Sequence, residues 1–284
     1  RLRRVLFLSG ALVVALCAGS HAPHKVCHSA ATDVPRLPAT SFQPKRSLGQ
    51  NYLSEANTIK KITDHFLKFV SSRAGTSPPG GRNVIELGPG VGALTRTLHA
   101  ALPRMSVVEL DDRAVGLLRQ DMPMLDIVHR SMLDVSYREL AKARADKLCI
   151  VGNLPYNIVS DILFSFVAEP GVIDYAFIMV QREVAEKIVA QPGSKEYGAT
   201  SVLMQLYSKP RRSFNVPPTA FYPRPKVTSA MVELHFHEAA DVPDCDPQFV
   251  KEVLQTAFRD RNRRLVKSLK PILEAKRTYL PMRW

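Results

Sequence analysis

Apolar residues first recur at helical spacing between positions 59 and 70, where Ile59, Ile62, Phe66, Leu67 and Val70 fall on one face of a predicted helix. A loop rich in Gly, Pro and Ser, 75–81, then marks a change of period. Residues 84–87 read as a short apolar strand, followed by a turn carrying Gly88, Gly90 and Gly92 and an amphipathic helix through Leu98. Further strands are predicted over 105–110, 125–129 and 148–152, with a helix over 137–145 between the last two. Strands alternating with helices predict an α/β fold, a Rossmann-like and mainly parallel sheet. Towards the C-terminus, 247–271 reads as a pair of amphipathic helices. Phe249, Val250, Val253, Leu254 and Phe258, then Leu265, Val266 and Leu269, form their apolar face.

One apolar run stands outside this scheme. Residues 5–18 are interrupted only by Ser9 and Gly10 and follow Arg1, Arg3 and Arg4. The run is short for a membrane span and has the length of a signal-peptide core, with small residues (Ala18, Gly19, Ser20, Ala22) where a signal peptidase could cut. Residues 23–46 are rich in Ala, Ser, Thr, Pro and basic side chains, with one acid, the composition of a transit peptide. A targeting leader (1–43) is therefore expected, directing the chain to a plastid, with the mitochondrion as the alternative. A single membrane anchor or a misplaced gene start also stays open, because the chain begins on Arg rather than Met.

Composition adds one constraint. Lys and Arg number 39 against 26 Asp and Glu, a net charge of +13. Of this, +6 belongs to the segment ending at Arg46 and +7 to the rest, which favours a polyanionic partner such as RNA. The cysteines (Cys17, Cys27, Cys149, Cys245) form no C-x-x-C pair, so zinc and dithiol chemistry are not expected and no metal is assigned.

Strand, glycine turn and helix at 84–98 form the first unit of a nucleotide-binding sheet. Gly88, Gly90 and Ala93 also satisfy the dinucleotide pattern G-x-G-x-x-G/A, so NAD stays open on this segment. Glu109, at the tip of the second strand, can accept the ribose hydroxyls of either cofactor. Glu86 tilts the choice towards S-adenosylmethionine. A carboxylate there would repel a pyrophosphate, but it suits the ammonium and sulfonium charges of S-adenosylmethionine.

After the fourth strand the chain reads Asn153-Leu154-Pro155-Tyr156. An exocyclic amino nitrogen of a base is a poor nucleophile because its lone pair is delocalised into the ring. Uncharged acceptors that hold its two N–H groups bring it nearer a tetrahedral shape. Asn153 offers a carboxamide oxygen, the Leu154-Pro155 turn a backbone carbonyl, and Tyr156 a flat face for a flipped-out base. At the carboxyl edge of a parallel sheet, this tetrapeptide predicts amino methylation.

The chain resembles the KsgA family of small-subunit ribosomal RNA adenine dimethyltransferases. KRSLGQNYL, VIELGPGVGALT, VVELD, GNLPYNI, SKEYG and VPPTAFYPRPKVTSA occur in the family's order, and the match covers about 44–269. The resemblance implies that Asn51, Leu53, Gly88, Glu109 and Asn153 contact S-adenosylmethionine or line its pocket. It also implies that Phe221 stacks on the target adenine opposite Tyr156; read alone, Phe221 is a core residue beside a Pro-rich turn. The implied reaction places two methyl groups on N6 of each of two adjacent adenines in a small-subunit rRNA hairpin loop. The implied partner is the pre-ribosomal small subunit, bound by a monomer without a membrane attachment in its mature form. Where the family has Asp after the third strand, this chain has Ser131, with Asp134 the nearest acid. A serine hydroxyl accepts the same hydrogen bond more weakly.

The C-terminal helices interleave Arg259, Arg261, Arg263, Arg264, Lys267 and Lys270 with one acid, which predicts phosphate contacts. The expected division is a methyltransferase domain over 44–238 and a helical RNA-binding domain over 239–284, which stops at Trp284 before the family's helical domain is complete. A non-catalytic assembly or transcription factor of the same family is the alternative, and the intact Asn153, Pro155 and Tyr156 argue against it.

Overall fold

The computed structural model describes residues 50–73, 79–260 and 263–276. The leader with Cys17 and Cys27, the 45–49 part of the opening segment, most of the 75–81 loop, Arg261 and Trp284 lie outside the described residues.

The described chain opens with a two-residue strand, β1 (Tyr52–Leu53), and helix α1 (Ala56–Ser72). Glu55 caps α1 by accepting from the Asn57 and Thr58 backbone N–H groups. The helix buries Ile59, Ile62, Phe66 and Val70, the predicted apolar face, with Leu67 half-buried. Alternation follows: β2 (Val84–Leu87), α2 (Thr95–Ala101), β3 (Ser106–Glu109), α3 (Asp112–Asp121), β4 (Asp126–His129), α4 (Tyr137–Arg144) and β5 (Leu148–Asn153). Then come α5 (Val159–Ala168), β6 (Ile173–Gln181), α6 (Arg182–Val189), α7 (Ala199–Tyr207), β7 (Ser208–Val216), β8 (Phe221–Tyr222) and β9 (Ser229–Phe236). Helices α8 (Pro247–Phe258) and α9 (Leu265–Lys276) end the described chain.

Seven strands pair in the order β4-β3-β2-β5-β6-β9-β7. The first five are parallel, and β9 runs antiparallel to both β6 and β7. From β2 the chain winds outward through β3 and β4, then returns to place β5 on the other side of β2. The crevice beyond the carboxyl ends of β2 and β5 is thus a topological switch point, where folds of this kind bind ligands.

Strand alternation sends Ile85, Leu87, Ile150 and Ile178 to one face, against Tyr137 of α4, Ile162 and Phe166 of α5 and Met204 of α7. Val84, Val107, Val151 and Phe177 pack on the other face against α1, Leu98 of α2 and Leu118 of α3. Helix α8 lays Val250 and Leu254 on the first of these cores. Helix α9 continues past Pro271, where the predicted pair stopped. The missing N–H costs the Lys267 carbonyl its helical donor, yet the turn persists.

Strand β5 runs one residue longer than predicted, because Asn153 still pairs with Met179 on the nine-residue β6. Gly152, its neighbour, is required by close approach. A Cβ at that position would stand 2.5 Å from the Leu87 carbonyl oxygen, a backbone atom that cannot step aside.

Candidate active site

A cavity of about 270 Å³ opens at the carboxyl ends of β2, β3 and β5, at the switch point. Its floor is the glycine turn after β2. Gly88, Gly90 and Gly92 all take positive φ (66°, 54° and 83°), the left-handed region that favours glycine. At Gly90 the requirement is also steric, since a Cβ would come within 2.7 Å of the Tyr52 ring.

Glu109, the last residue of β3, holds this turn in place. One carboxylate oxygen accepts from the Gly90 N–H at 3.0 Å, and the other accepts from the Leu110 and Asp111 N–H groups, both at 2.8 Å. The side chain is 7% exposed, and burial raises its pKa against the lowering effect of those three donors. Three bonds leave lone-pair capacity on a carboxylate, so Glu109 can both anchor the turn and accept a ligand hydroxyl.

Glu86 is the electrostatic centre of the site. It lines the cavity, is 2% exposed, and has one carboxylate oxygen with no hydrogen-bond partner. Burial, with a smaller push from Glu109, lifts its pKa to about 8. An apolar setting disfavours the ionised form of a carboxylate, and a nearby cation or hydrogen-bond donor favours it again.

The other wall is a strap formed by residues 50–54. β1 pairs antiparallel with β8, Leu53 opposite Phe221 and Tyr52 opposite Tyr222. The Ser54 N–H donates to the Ala220 carbonyl at 2.9 Å. At the near end of the strap, Gln50 Nε2 donates to Asp111 at 2.9 Å. Asp111 also receives the Arg113 guanidinium, which holds its carboxyl down at about 2. Asn51, Tyr52 and Leu53 all line the cavity.

The loop after β5 completes it. Asn153 Nδ2 donates to the Asn51 carbonyl at 2.9 Å, which leaves Oδ1 as the acceptor end of the carboxamide. The Leu154 N–H donates to the Met179 carbonyl, and the Pro155 carbonyl accepts from the Ile158 N–H, so the turn is fixed at both ends. Tyr156 is half-buried, and its hydroxyl lies 2.6 Å from Ser229 Oγ. Burial raises the phenol pKa. Asn153, Pro155 and Tyr156 share the cavity with Gly88, Glu86 and Glu109.

Ser131 also lines the cavity, and its Oγ accepts from the Leu133 N–H at 3.2 Å. Asp134 is exposed and is not among the lining residues. Phe221 is not among them either: its ring is 2% exposed and packs in the core cluster that holds Leu53, Ala220 and Met231. Gln50, Tyr52 and Asp111 were not singled out from the sequence. Gln50 and Tyr52 flank Asn51 in the opening segment, which was their available signal, whereas Asp111 reads locally as a helix cap.

A family model described as ribosomal RNA adenine dimethylase matches residues 41–282. The chain belongs to this family. The ribosomal RNA small subunit methyltransferase A of Psychrobacter cryohalolentis is 38% identical over 250 residues, 86% of this chain and 82% of that protein. The protein of the same name from Salinibacter ruber is 33% identical over 266 residues, 94% of this chain and 86% of that protein. Among solved structures, a dimethyladenosine transferase from Plasmodium falciparum superposes with a TM-score of 0.63 at 20% identity, over 82% of this chain and 84% of that one, and it shows the shared fold.

This adenine dimethylase is an S-adenosylmethionine-dependent methyltransferase of ribosomal RNA. The cavity fits that cofactor. The unpartnered oxygen of Glu86 can accept from a donor, and the ammonium group of S-adenosylmethionine supplies one that is also a cation. The pyrophosphate of NAD would instead add negative charge beside a carboxylate that already resists ionisation.

Proposed function

We propose that the chain dimethylates N6 of two adjacent adenines in a small-subunit rRNA hairpin loop during maturation of the small ribosomal subunit. The observation that carries this reading is the Asn153–Asn51 hydrogen bond. It turns the carboxamide so that Oδ1 is presented as an acceptor, in the cavity that also holds Glu86, Glu109 and Tyr156. Both S. ruber and P. cryohalolentis relatives carry a small-subunit rRNA methyltransferase name, which supports the choice of subunit.

Bound S-adenosylmethionine supplies an electrophilic methyl group on a positively charged sulfur. Glu109 and Gly88 would hold it from the sheet side, Glu86 would balance its charge, and Asn51 and Leu53 would close over it from the strap. Ser131, which lines the same cavity, would take the contact to the cofactor's adenine that the family resemblance gives this position. On the RNA side, Oδ1 of Asn153 and a backbone carbonyl of the Leu154-Pro155 turn accept from the target amino group, drawing its lone pair out of the ring. No strong base is required, because the amino proton becomes acidic once the methyl is attached. Tyr156 stacks on the extruded base. The family resemblance gives Phe221 the opposite face; with its ring seated in the core, Tyr156 carries the stacking in our reading.

The reading places catalysis in 44–238 and phosphate contacts in 239–284. Arg259, Arg263, Arg264, Lys267 and Lys270 are all exposed, as phosphate-binding side chains need to be. Replacing Arg263 and Arg264 together should weaken RNA binding and lower the slope of log K against log salt by about one to two. A filter-binding titration across salt concentrations measures this, and an unchanged slope would return the basic run to a solvated face. The enzyme acts as a monomer, and no helix among the described residues is long and apolar enough to cross a membrane.

The leader composition supports a plastid as the working compartment. Primer extension tests site and compartment together, because a dimethylated amino group blocks base pairing and stops reverse transcription. Cells lacking the protein should lose two adjacent stops in plastid small-subunit rRNA. Loss in mitochondrial rRNA would overturn the compartment, and loss in neither would overturn the substrate.

A further inference from the structure

We infer that Ser229 is a positioning residue for methyl transfer, holding the Tyr156 ring at the angle at which it receives the target base. The inference rests on the reading of Tyr156 as the stacking face.

Tyr156 sits on a loop, is half-buried and lines the cavity. A tyrosine attached only through its backbone would rock about its side-chain torsions, and a base sliding onto it would have to stop that motion. Here the far end of the ring is tied down. The hydroxyl lies 2.6 Å from Ser229 Oγ, across 73 positions of sequence. The anchor is rigid. Ser229 is the first residue of β9, 0% exposed, and is paired with Gln181 on β6 and Val216 on β7. One position earlier, the Thr228 carbonyl accepts the Arg182 N–H at 2.9 Å. The stacking ring is therefore pinned at its base by the Leu154-Pro155 turn and at its tip by the start of β9, held between β6 and β7. This arrangement pre-organises a site by fixing the rotamer before the ligand arrives.

The same geometry explains why the chain uses Tyr here rather than Phe. Stacking alone needs only the ring, but the hydroxyl is what reaches β9. Burial lifts the phenol pKa, which keeps it protonated and able to donate to Ser229 or accept from it.

The test compares Ser229→Ala, Tyr156→Phe, the double variant and Tyr156→Ala, all in the full chain with an rRNA hairpin. Ser229→Ala and Tyr156→Phe should each lower kcat by about 3- to 10-fold, the range expected for one net hydrogen bond. RNA KM and S-adenosylmethionine affinity should stay at parental values. The double variant should fall no further than either single one, because both remove the same bond. With 2-aminopurine at the target position, both single variants should spread the fluorescence lifetimes of the extruded base relative to the parent. Parental kcat and lifetimes in Ser229→Ala overturn the inference, as does a double variant that multiplies the two losses. Tyr156→Ala tells the two readings apart. If it is inactive while Ser229→Ala is normal, only the role of Ser229 fails. If it keeps full activity, the stacking role of Tyr156 fails as well.

Discussion

Asn153→Ala should lower kcat on the order of 100- to 1000-fold, the scale for removing one pre-organised hydrogen-bonding group from a reacting centre. Binding of the rRNA precursor should be nearly intact. The expectation follows from the division of labour in the site. The carboxamide is turned by the Asn51 carbonyl so that only its oxygen is left to meet the target amino group. Within the 153–156 tetrapeptide no other side chain supplies a free acceptor, since Leu154 and Pro155 offer only backbone and the Tyr156 hydroxyl pairs with Ser229. The fold should tolerate the change. Asn153 is half-buried and makes one side-chain hydrogen bond, a loss of about 1 kcal/mol. Single-turnover methylation measured beside RNA affinity separates chemistry from binding. Full activity in the variant would remove Asn153 from the mechanism.

Glu109→Ala should weaken S-adenosylmethionine binding by about 1.5–3 kcal/mol, roughly 10- to 150-fold, the scale of a charged hydrogen bond. The carboxylate is expected to act twice. It accepts the ribose hydroxyls, and it receives the N–H groups of Gly90, Leu110 and Asp111. Removing it takes away a ligand contact and also releases the glycine turn from the end of β3. Calorimetric titration reads the total, and an unchanged affinity would exclude Glu109 from the site. Thermal unfolding of the variant without cofactor reads the second part alone, because loss of the three backbone contacts lowers stability whether or not ligand is present.

Much of this site was legible because its parts are local. Glycines at 88, 90 and 92 announce a turn, Glu109 ends a short strand carrying Val107 and Val108, and Asn153-Leu154-Pro155-Tyr156 follows an apolar run. Each of these is a short-range pattern of residue types. The orientation of the side chains was not legible. Nothing near Asn153 in sequence predicts that Asn51 turns its carboxamide, and nothing near Tyr156 points to Ser229. Phe221 shows the same limit from the other side. Residues 221 and 222 alternate between buried and exposed (2% and 56%), a normal strand pattern, but only the pairing with β1 decides which ring goes inside. The antiparallel edge of β9 and β7 also escaped the reading. Its strand β7, with Lys209, Arg211 and Arg212, carries little of the apolar signal that marks a strand.

The strap has a consequence for the order in which the enzyme becomes competent. Ser54 and Ala220 lie 166 positions apart, and β1 has β8 as its partner strand. A ribosome making this chain releases the strap, the glycine turn, Glu109 and the Asn153 loop long before Phe221 emerges, so the nascent strap lacks its partner strand. Contacts of such wide sequence separation form late, because the intervening loop must close before they bring any return. The pairing that fixes the far end of the strap thus waits for β8. A chain interrupted during synthesis between residues 157 and 221 would carry the catalytic loop and the strap, but not the strand that pairs with the strap.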